Sequence, residues 1–203
     1  MAGSQTCAKI VVLAGPSGSG KSRLASRLGL PILRLDNFYR DGDDEALPRA
    51  FGIVDWDDPA SWNRAAAFEA ACTLAREGTV EIPTYDIPTS RAIGTRRVDT
   101  AGAPLVVAEG IFAAQAIPDL RDAGVLADAI CLTQWPAITF VRRLSRDLRE
   151  SRKPPLTLLR RGLSLLRAEP RIVARQVALG AAPCSPDQAY DRVQALLCRS
   201  SPA

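Results

Sequence analysis

The fold of this chain is indicated by residues 15–22, which are Gly15-Pro16-Ser17-Gly18-Ser19-Gly20-Lys21-Ser22. The spacing G-x-x-x-x-G-K-[ST] is that of a P-loop, which binds phosphate. Glycines let the backbone close around phosphate oxygens, and successive N–H groups present partial positive charge to the anion. The pattern predicts that Lys21 reaches the β- and γ-phosphates of a nucleoside triphosphate and that the Ser22 hydroxyl joins a Mg²⁺ coordination sphere. We expect the phosphates to be held by Gly15, Ser17, Gly18, Ser19, Gly20, Lys21 and Ser22.

The segments on either side of this loop support the prediction. Residues 9–14 are all apolar except Lys9, a composition typical of a parallel strand buried on both faces. Behind the loop, Leu24, Ala25 and Leu28 keep helical spacing until Gly29 and Pro31. Strand, glycine loop and helix therefore follow one another in the order that a phosphate site requires.

Composition excludes several classes of protein. The 203 residues, 47% of them hydrophobic, are enough for one α/β domain, which we expect to cover residues 1–203. Since no histidine is present, Ser-His-Asp hydrolysis, histidine phosphotransfer and most zinc sites are excluded. The five cysteines show no metal spacing, and residues 1–9 lack the apolar segment of a signal peptide. We expect a cytoplasmic protein with reduced thiols and no membrane partner.

Two acidic residues follow apolar strands, at the sheet edge where α/β proteins bind ligands. Asp36 ends the strand predicted at 32–35, and Glu109 ends the apolar run 104–108 in the manner of a Walker-B acid near Mg²⁺. A turn aspartate and an ordinary strand end are the alternative interpretations. A further strand at 129–133 completes a βα alternation, which predicts a three-layer α/β/α P-loop domain around a parallel sheet.

The remaining segments predict elements around that sheet. We expect a helix from about 60 to 76, opened by Asp58-Pro59, and a small substrate-side β-hairpin formed by 80–86 and 96–99. Helices are expected at 156–168, 171–179 and 187–199. The segment 180–186 is predicted to be a loop.

Residues 137–153 have helical spacing and carry a basic stripe on one face, formed by Arg142, Arg146, Arg149 and Lys153. A solvated face is one interpretation. Next to a P-loop, arginines that close over the charge of phosphoryl transfer are the other. Because Pro154-Pro155 breaks the helix, we expect residues 142–155 to form a hinged helical lid.

The net charge of +4 is unevenly placed, since residues 142–175 contain eleven basic and three acidic residues. A nucleic-acid-associated ATPase or a nucleotide-binding regulator would explain this block. However, no aromatic residue lies between Phe140 and Tyr190 to stack bases, and no RNA-binding motif is present. We expect no nucleic-acid partner. A GTPase is disfavoured because no N-K-x-D motif occurs.

The combination and order of these motifs resembles the uridine kinase family of P-loop kinases. The resemblance covers roughly residues 9–153 and is carried by GPSGSGKS (15–22), LDNFY (35–39), DWDDP (55–59), PTYD (83–86), VVAEGIF (106–112) and VRRLSRDLRESRK (141–153). It implies an ATP- and Mg²⁺-dependent kinase for a nucleoside-like small molecule, most simply the 5′-hydroxyl of uridine or cytidine. A homo-oligomer is left open.

The resemblance also implies roles for individual residues. Asp36 is implied as the base that takes the proton of the acceptor hydroxyl. Ser22 and Glu109 are implied as the residues that hold Mg²⁺. Asp57 is implied to hold ribose hydroxyls and Tyr85 to lie beside the base. The remaining implied catalytic and substrate residues are Lys21, Arg143 and Arg146.

The chain departs from the family pattern where that pattern recognises the base. The histidines usual near Asp58 and Ser90 are absent, and Ile87 stands where an aromatic residue is expected. A different acceptor, such as pantothenate or a sugar phosphate, therefore stays open beside the pyrimidine nucleosides, as does a non-catalytic nucleotide-binding regulator.

Overall fold

A parallel five-stranded sheet forms the centre of the protein in the computed structural model, which describes residues 7–50, 53–135, 137–140 and 155–200. In chain order the strands are β1 (Lys9–Ala14), β2 (Ile32–Arg34), β3 (Arg49–Ala50), β4 (Ile53–Val54), β5 (Thr79–Asp86), β6 (Arg91–Asp99), β7 (Leu105–Glu109), β8 (Leu126–Leu132) and β9 (Ala182–Cys184). The named helices are α1 (Lys21–Leu28), α2 (Arg64–Glu77), α3 (Ile117–Asp122), α4 (Pro155–Ala178) and α5 (Pro186–Ser200). Residues 137–140 are also helical.

The sheet has the strand order β2-β7-β1-β8-β9, with every neighbouring pair parallel. Strand β1 is central, and its side chains alternate between two cores: Ile10 and Val12 face one, Val11 and Leu13 the other. This is why the run is apolar without interruption. Helices α2 and α3 cover the first core, while α1 and α5 cover the second. The predicted three-layer α/β/α fold is confirmed.

The register of the sheet brings the predicted site residues to one edge. Glu109, the last residue of β7, pairs with Leu13 of β1 on one side and with Arg34 of β2 on the other. The P-loop leaves β1 immediately after this point, and a 3-10 turn, Leu35–Phe38, follows β2 directly. The loops that leave β1, β2 and β7 therefore share the carboxyl edge of the sheet.

The predicted hairpin is also present. Strands β5 and β6 pair antiparallel and form a sheet of their own, as Pro83 in β5 suggested. Its tip is held against the segment after β2, because Gly42 N–H donates to the Ser90 carbonyl at 2.7 Å and Ala92 N–H donates to Asp41 Oδ1 at 2.8 Å. The hairpin is thereby attached beside the carboxyl edge of the central sheet.

The predicted start of the second helix was wrong. Asp58 Oδ1 accepts from Ala60 N–H and caps a short 3-10 turn, Pro59–Ser61. The α-helix begins only at Arg64, after Asn63, whose side chain accepts from Ala66 N–H. Two capping residues, Asp58 and Asn63, lie only five positions apart. Hydrophobic periodicity alone does not show which of them begins the α-helix.

Two predictions in the C-terminal part were also wrong. The expected pair of helices is one helix, α4, with Pro170 inside it; Val173 packs against the first core just beyond the proline. The expected loop 180–186 contains strand β9, which pairs with Ile130–Leu132 at the edge of the sheet. Pro183 is tolerated in that strand because an edge strand needs hydrogen bonds on one side only.

The predicted lid, 142–155, lies outside the described residues except for Pro155, where α4 begins. Along the described ranges, no helix combines the length and the apolar character that crossing a bilayer requires.

Candidate active site

The P-loop folds as a phosphate cradle. Gly15 has φ +139°, and a Cβ at this position would lie 2.6 Å from the Leu132 carbonyl oxygen, so glycine is required. Lys21 Nζ donates to the carbonyls of Gly15 (2.7 Å) and Pro16 (3.0 Å), and its side chain therefore lies along the loop. The loop leads directly into the N-terminus of α1, whose free N–H groups favour an anion.

Ser19 supplies a further sign that the loop is built for a ligand. Its side chain is completely buried, and its hydroxyl makes no hydrogen bond within the part of the chain that the structure describes. A buried hydroxyl without a partner costs free energy, and such groups are rare in native proteins. A phosphate oxygen in the cradle would be a suitable partner for this hydroxyl.

Ser22 and Glu109, the two residues predicted to hold Mg²⁺, lie next to each other. Ser22 Oγ is 3.2 Å and 3.3 Å from the two carboxylate oxygens of Glu109, which is only 6% exposed. Burial and the nearby Asp36 raise the pKa of Glu109, while Lys21 and the Ser22 hydrogen bond act against this rise. A hydroxyl beside a carboxylate is the oxygen donor set that Mg²⁺ shares with substrate phosphates.

No group of three or more His, Cys, Asp or Glu residues suited to a metal ion occurs among the residues described.

Asp36 is fixed at the same edge by the loop after β7. Its Oδ1 accepts a hydrogen bond from Ile111 N–H at 2.9 Å, and the side chain is exposed. Gly110 makes this approach possible, because a Cβ there would lie 2.7 Å from Asp36 Oδ1. The structure thus brings together three predicted residues from separate segments: Asp36, Ser22 and Glu109.

A cleft opens beside the P-loop, with a cavity volume of about 130 Å³. Asp57 lines it together with Pro16 and Ser17 of the loop. The segment after β7 contributes Ile111, Phe112 and Gln115, and α4 contributes Leu166, Glu169, Ile172, Arg175 and Gln176. Asp57 therefore lies in the wall of a cleft that also borders the phosphate cradle.

Tyr85 has a different position, in an aromatic cluster next to the cleft. Its ring lies 5.7 Å from that of Tyr39, and the Tyr39 ring lies 5.9 Å from Phe112, which lines the cleft. Tyr85 Oη donates to the Arg40 carbonyl at 3.0 Å, and burial raises the pKa of Tyr85 to about 12. Burial and the carboxylates of Asp36 and Asp57 raise the pKa of Tyr39 further still.

Sequence reasoning missed the α4 side of the cleft. Glu169 and Gln176 were assigned to a helical tail, although their spacing of seven residues places them on one face of a helix. The segment 180–186, predicted as a loop, contains β9, and Arg143 and Arg146 lie outside the described residues.

With this geometry in place, comparison with known proteins identifies the family. Residues 10–152 match the profile of the Phosphoribulokinase / Uridine kinase family. The chain belongs to this family. That assignment confirms the resemblance carried by the P-loop, the strand-end acids and the Arg-rich segment.

Individual relatives agree with the assignment. A uridine kinase from Saccharomyces cerevisiae is 32% identical over 152 residues, which cover 68% of this chain and 29% of that protein. One from Borreliella burgdorferi (strain ZS7) is 31% identical over 150 residues, covering 70% of this chain and 68% of its own. A crystal structure from Silicibacter sp. TM1040, named as a candidate fructose transport system kinase, has a TM-score of 0.59 at 22% identity and covers 83% of this chain and 85% of its own. At that identity the likeness shows the fold alone.

Proposed function

We propose that this protein is an ATP-dependent kinase that transfers the γ-phosphate to a hydroxyl of a nucleoside-like small molecule. The first candidate acceptor is the 5′-hydroxyl of uridine or cytidine. The observation that carries the proposal is the position of Asp36: its carboxylate is anchored on Ile111 N–H, at the edge that also holds the P-loop and the Ser22–Glu109 pair. Family membership and the named uridine kinases support it.

The P-loop and the residues beside it would bind ATP·Mg²⁺, the phosphate donor. Lys21 Nζ, which lies along the loop, would exchange its carbonyl partners for the β- and γ-phosphate oxygens. Ser22 and Glu109 would hold Mg²⁺, which when bound supplies charge neutralisation on those oxygens. The backbone N–H groups of Gly15, Ser17, Gly18, Gly20, Lys21 and Ser22 would face the phosphates, together with the Ser19 hydroxyl.

Asp36 would be the general base. A carboxylate at this place can orient the acceptor hydroxyl and take its proton as the new P–O bond forms. The hydrogen bond from Ile111 N–H keeps the carboxylate in one orientation, which matters because transfer depends on accurate positioning of the attacking oxygen.

The acceptor half of the site is proposed to include Asp57, which lines the cleft, and Tyr85, in the aromatic cluster beside it. Arg143 is proposed as a further substrate contact, and Arg146 as a group that stabilises charge in the transition state. Both belong to the proposed lid, 142–155, of a single kinase domain spanning residues 1–203. A homo-oligomer also stays a prediction.

One observation favours an acceptor other than a pyrimidine nucleoside: the chain has no histidine. A site that hydrogen-bonds a base discriminates largely through its polar partners. Loss of those partners leaves pantothenate, a sugar phosphate or another hydroxylated compound as the alternative acceptor.

An acceptor panel tests the proposal. ADP release from ATP·Mg²⁺ is measured without acceptor and with uridine, cytidine, ribose, fructose, gluconate, pantothenate and ribose 5-phosphate. We expect stimulation by uridine or cytidine, whereas stimulation by one of the other compounds alone would favour the alternative acceptor. Asp36→Asn should keep the affinity for ATP and lower kcat by about 10²- to 10⁴-fold. Asp122→Asn, at an exposed position of α3, is the matched control and should behave as wild type. Near-normal turnover by the Asp36→Asn protein would refute the base assignment.

A further inference from the structure

Trp135 has the most exposed large hydrophobic side chain among the residues that the structure describes, with 80% of its surface accessible. The other two tryptophans are packed against neighbours: Trp62 is only 3% exposed, and the ring of Trp56 lies 5.7 Å from that of Tyr39. A single exposed apolar side chain is ordinary in a protein. Trp135 differs from an ordinary one in its position and in the way its backbone is held.

The backbone of Trp135 is fixed although its side chain is exposed. Its carbonyl accepts hydrogen bonds from Ile138 N–H at 2.9 Å, from Thr139 N–H at 3.2 Å and from the Thr139 hydroxyl at 3.4 Å. Thr139 is 3% exposed and lines the cleft, whereas Trp135 does not. Because the backbone is held before any ligand arrives, less conformational entropy is lost when a ligand binds to the ring.

Trp135 lies just beyond the end of β8, next to the P-loop. It follows Leu132, the last residue of β8, by three positions. A Cβ on Gly15 would lie 2.6 Å from the Leu132 carbonyl oxygen, so the end of β8 contacts the start of the P-loop. Thr133 N–H donates to the Cys184 carbonyl at 2.9 Å, which continues the pairing of β8 with β9. Trp135 therefore lies on the β8–β9 side of the phosphate cradle.

The two proposed catalytic carboxylates lie on the other side of the cradle. In the order β2-β7-β1-β8-β9, Asp36 follows β2 and Glu109 ends β7, so both lie on one side of β1. Phosphoryl transfer places the attacking and leaving oxygens roughly in line. An acceptor hydroxyl held by Asp36 would attack from the β2 side, and the rest of the donor would extend towards β8 and β9. The base of the donor nucleotide is thereby directed to the side of Trp135.

The chemistry of this side suits a planar aromatic base. Nucleobases stack on aromatic side chains whatever their hydrogen-bonding edges, and an indole offers a large flat face. Ile138, one helical turn from Trp135, is 44% exposed and adds apolar surface. These two side chains are enough for one base, whereas a stable protein interface buries about 800 Å² on each partner. The size of the patch therefore favours a nucleotide over a partner chain.

We propose that the indole ring of Trp135 stacks on the base of the donor nucleotide. Trp135 holds the base beyond the end of β8, while the P-loop holds the phosphates. This inference rests on the proposed kinase function, which sets the direction of transfer. The binding that it describes is nevertheless measurable without any acceptor.

The test compares two ligands that differ in the base. A non-hydrolysable ATP analogue and inorganic tripolyphosphate, each with Mg²⁺, are titrated by calorimetry into wild type and Trp135→Ala. Both ligands offer three phosphates to the P-loop, but only the nucleotide has a base. We expect Trp135→Ala to weaken the analogue by about 5- to 100-fold, the range for one stacked base, and to leave tripolyphosphate within about twofold of wild type. A structural role through residues 137–140 would weaken both ligands.

Two further variants complete the comparison. Trp135→Phe keeps an aromatic face and should lose less affinity for the analogue than Trp135→Ala does. Ile93→Ala removes another exposed apolar side chain, 66% exposed in β6, and should leave both affinities unchanged. Thermal unfolding shows whether each variant is folded.

Fluorescence gives a second measurement that does not depend on Trp135→Ala being folded. The analogue should quench part of the tryptophan fluorescence of wild type, and tripolyphosphate should not. In Trp135→Phe the quenching by the analogue should be lost, because Trp62 is buried and Trp56 packs against Tyr39.

The outcomes separate this inference from the proposed function. Equal weakening of both ligands, or unchanged affinity of Trp135→Ala for the analogue, overturns the inference even where phosphate transfer is observed. A change in oligomeric state with unchanged affinity also overturns it, because Trp135 would then be a contact between copies. If the base-dependent affinity is lost in Trp135→Ala but wild type phosphorylates no acceptor, the inference stands and the kinase function is refuted. If wild type does not bind the analogue, both are refuted.

Discussion

Asp36 Oδ1 accepts a hydrogen bond from the backbone N–H of Ile111 at 2.9 Å, across a separation of 75 residues in the chain. The contact joins the segment after β2 to the segment after β7, two strands that are direct neighbours in the sheet. It holds the proposed base by a backbone group, so the position of Asp36 depends on the path of the chain through Gly110.

Gly110 is therefore open to a steric test. In Gly110→Ala the new Cβ would lie 2.7 Å from Asp36 Oδ1 and 3.1 Å from Leu35 Cβ, so Asp36 must move. We expect kcat to fall by roughly 100-fold, the effect of a displacement of about 1 Å in a reacting group. Affinity for ATP should stay within about twofold of wild type, since the P-loop is not touched.

Gly94→Ala is the control for this substitution, because a Cβ at Gly94 in β6 meets no atom within 4 Å. Steady-state kinetics with the best acceptor and a binding titration with an ATP analogue provide the measurement. Equal kcat values in the Gly110→Ala and Gly94→Ala proteins would show that the placement of Asp36 is not required.

The proposed role of Ser22 in holding Mg²⁺ can be tested by substitution. Ser22→Ala removes the hydroxyl that lies 3.2 Å and 3.3 Å from the Glu109 carboxylate oxygens. We expect the Mg²⁺ concentration for half-maximal activity to rise by about 10- to 100-fold, as for other changes in the surroundings of a metal. Ser26→Ala, one turn further along α1, removes only a hydrogen bond to the Ser22 carbonyl and serves as the control. An unchanged Mg²⁺ requirement in Ser22→Ala would remove Ser22 from the metal site.

Glu109 should make the stability of the metal-free protein depend on pH. Burial raises its pKa above the ordinary value of 4.5, so the folded state holds this proton more tightly than the unfolded state does. Ionisation of Glu109 therefore lowers the free energy of unfolding as pH rises through the folded pKa. Because Glu109→Gln stays neutral, we expect it to be more stable than wild type at pH 8 and similar to it below pH 4.5.

Urea unfolding of both proteins in EDTA, across pH 4–8, measures this difference. A gap that does not grow as pH rises would contradict the prediction. Adding Mg²⁺ with ATP should stabilise wild type more than Glu109→Gln, because the neutral amide is a poorer ligand than a carboxylate.

The local patterns in the sequence were sufficient for the central fold. Each of these elements is recognisable from its own residues: β1 as an apolar run, the P-loop by its glycines and α1 by its amphipathic spacing. All three were predicted correctly. The predictions failed where the signal was short or contradicted by one residue. Strand β9 has three residues including a proline, and α4 continues through Pro170 because contacts distant in sequence support it.

The sequence by itself determined the phosphate-binding part of the site, because the P-loop is one contiguous segment, residues 15–22. Tertiary structure alone decided the rest. The approach of Asp36 to Ile111, the pairing of Ser22 with Glu109 and the cleft that Asp57 shares with α4 all depend on strand order and helix packing. Side chains that are far apart in the chain come into contact only when the strands pack into a sheet. The positions of the strands along the sequence do not determine which of them become neighbours.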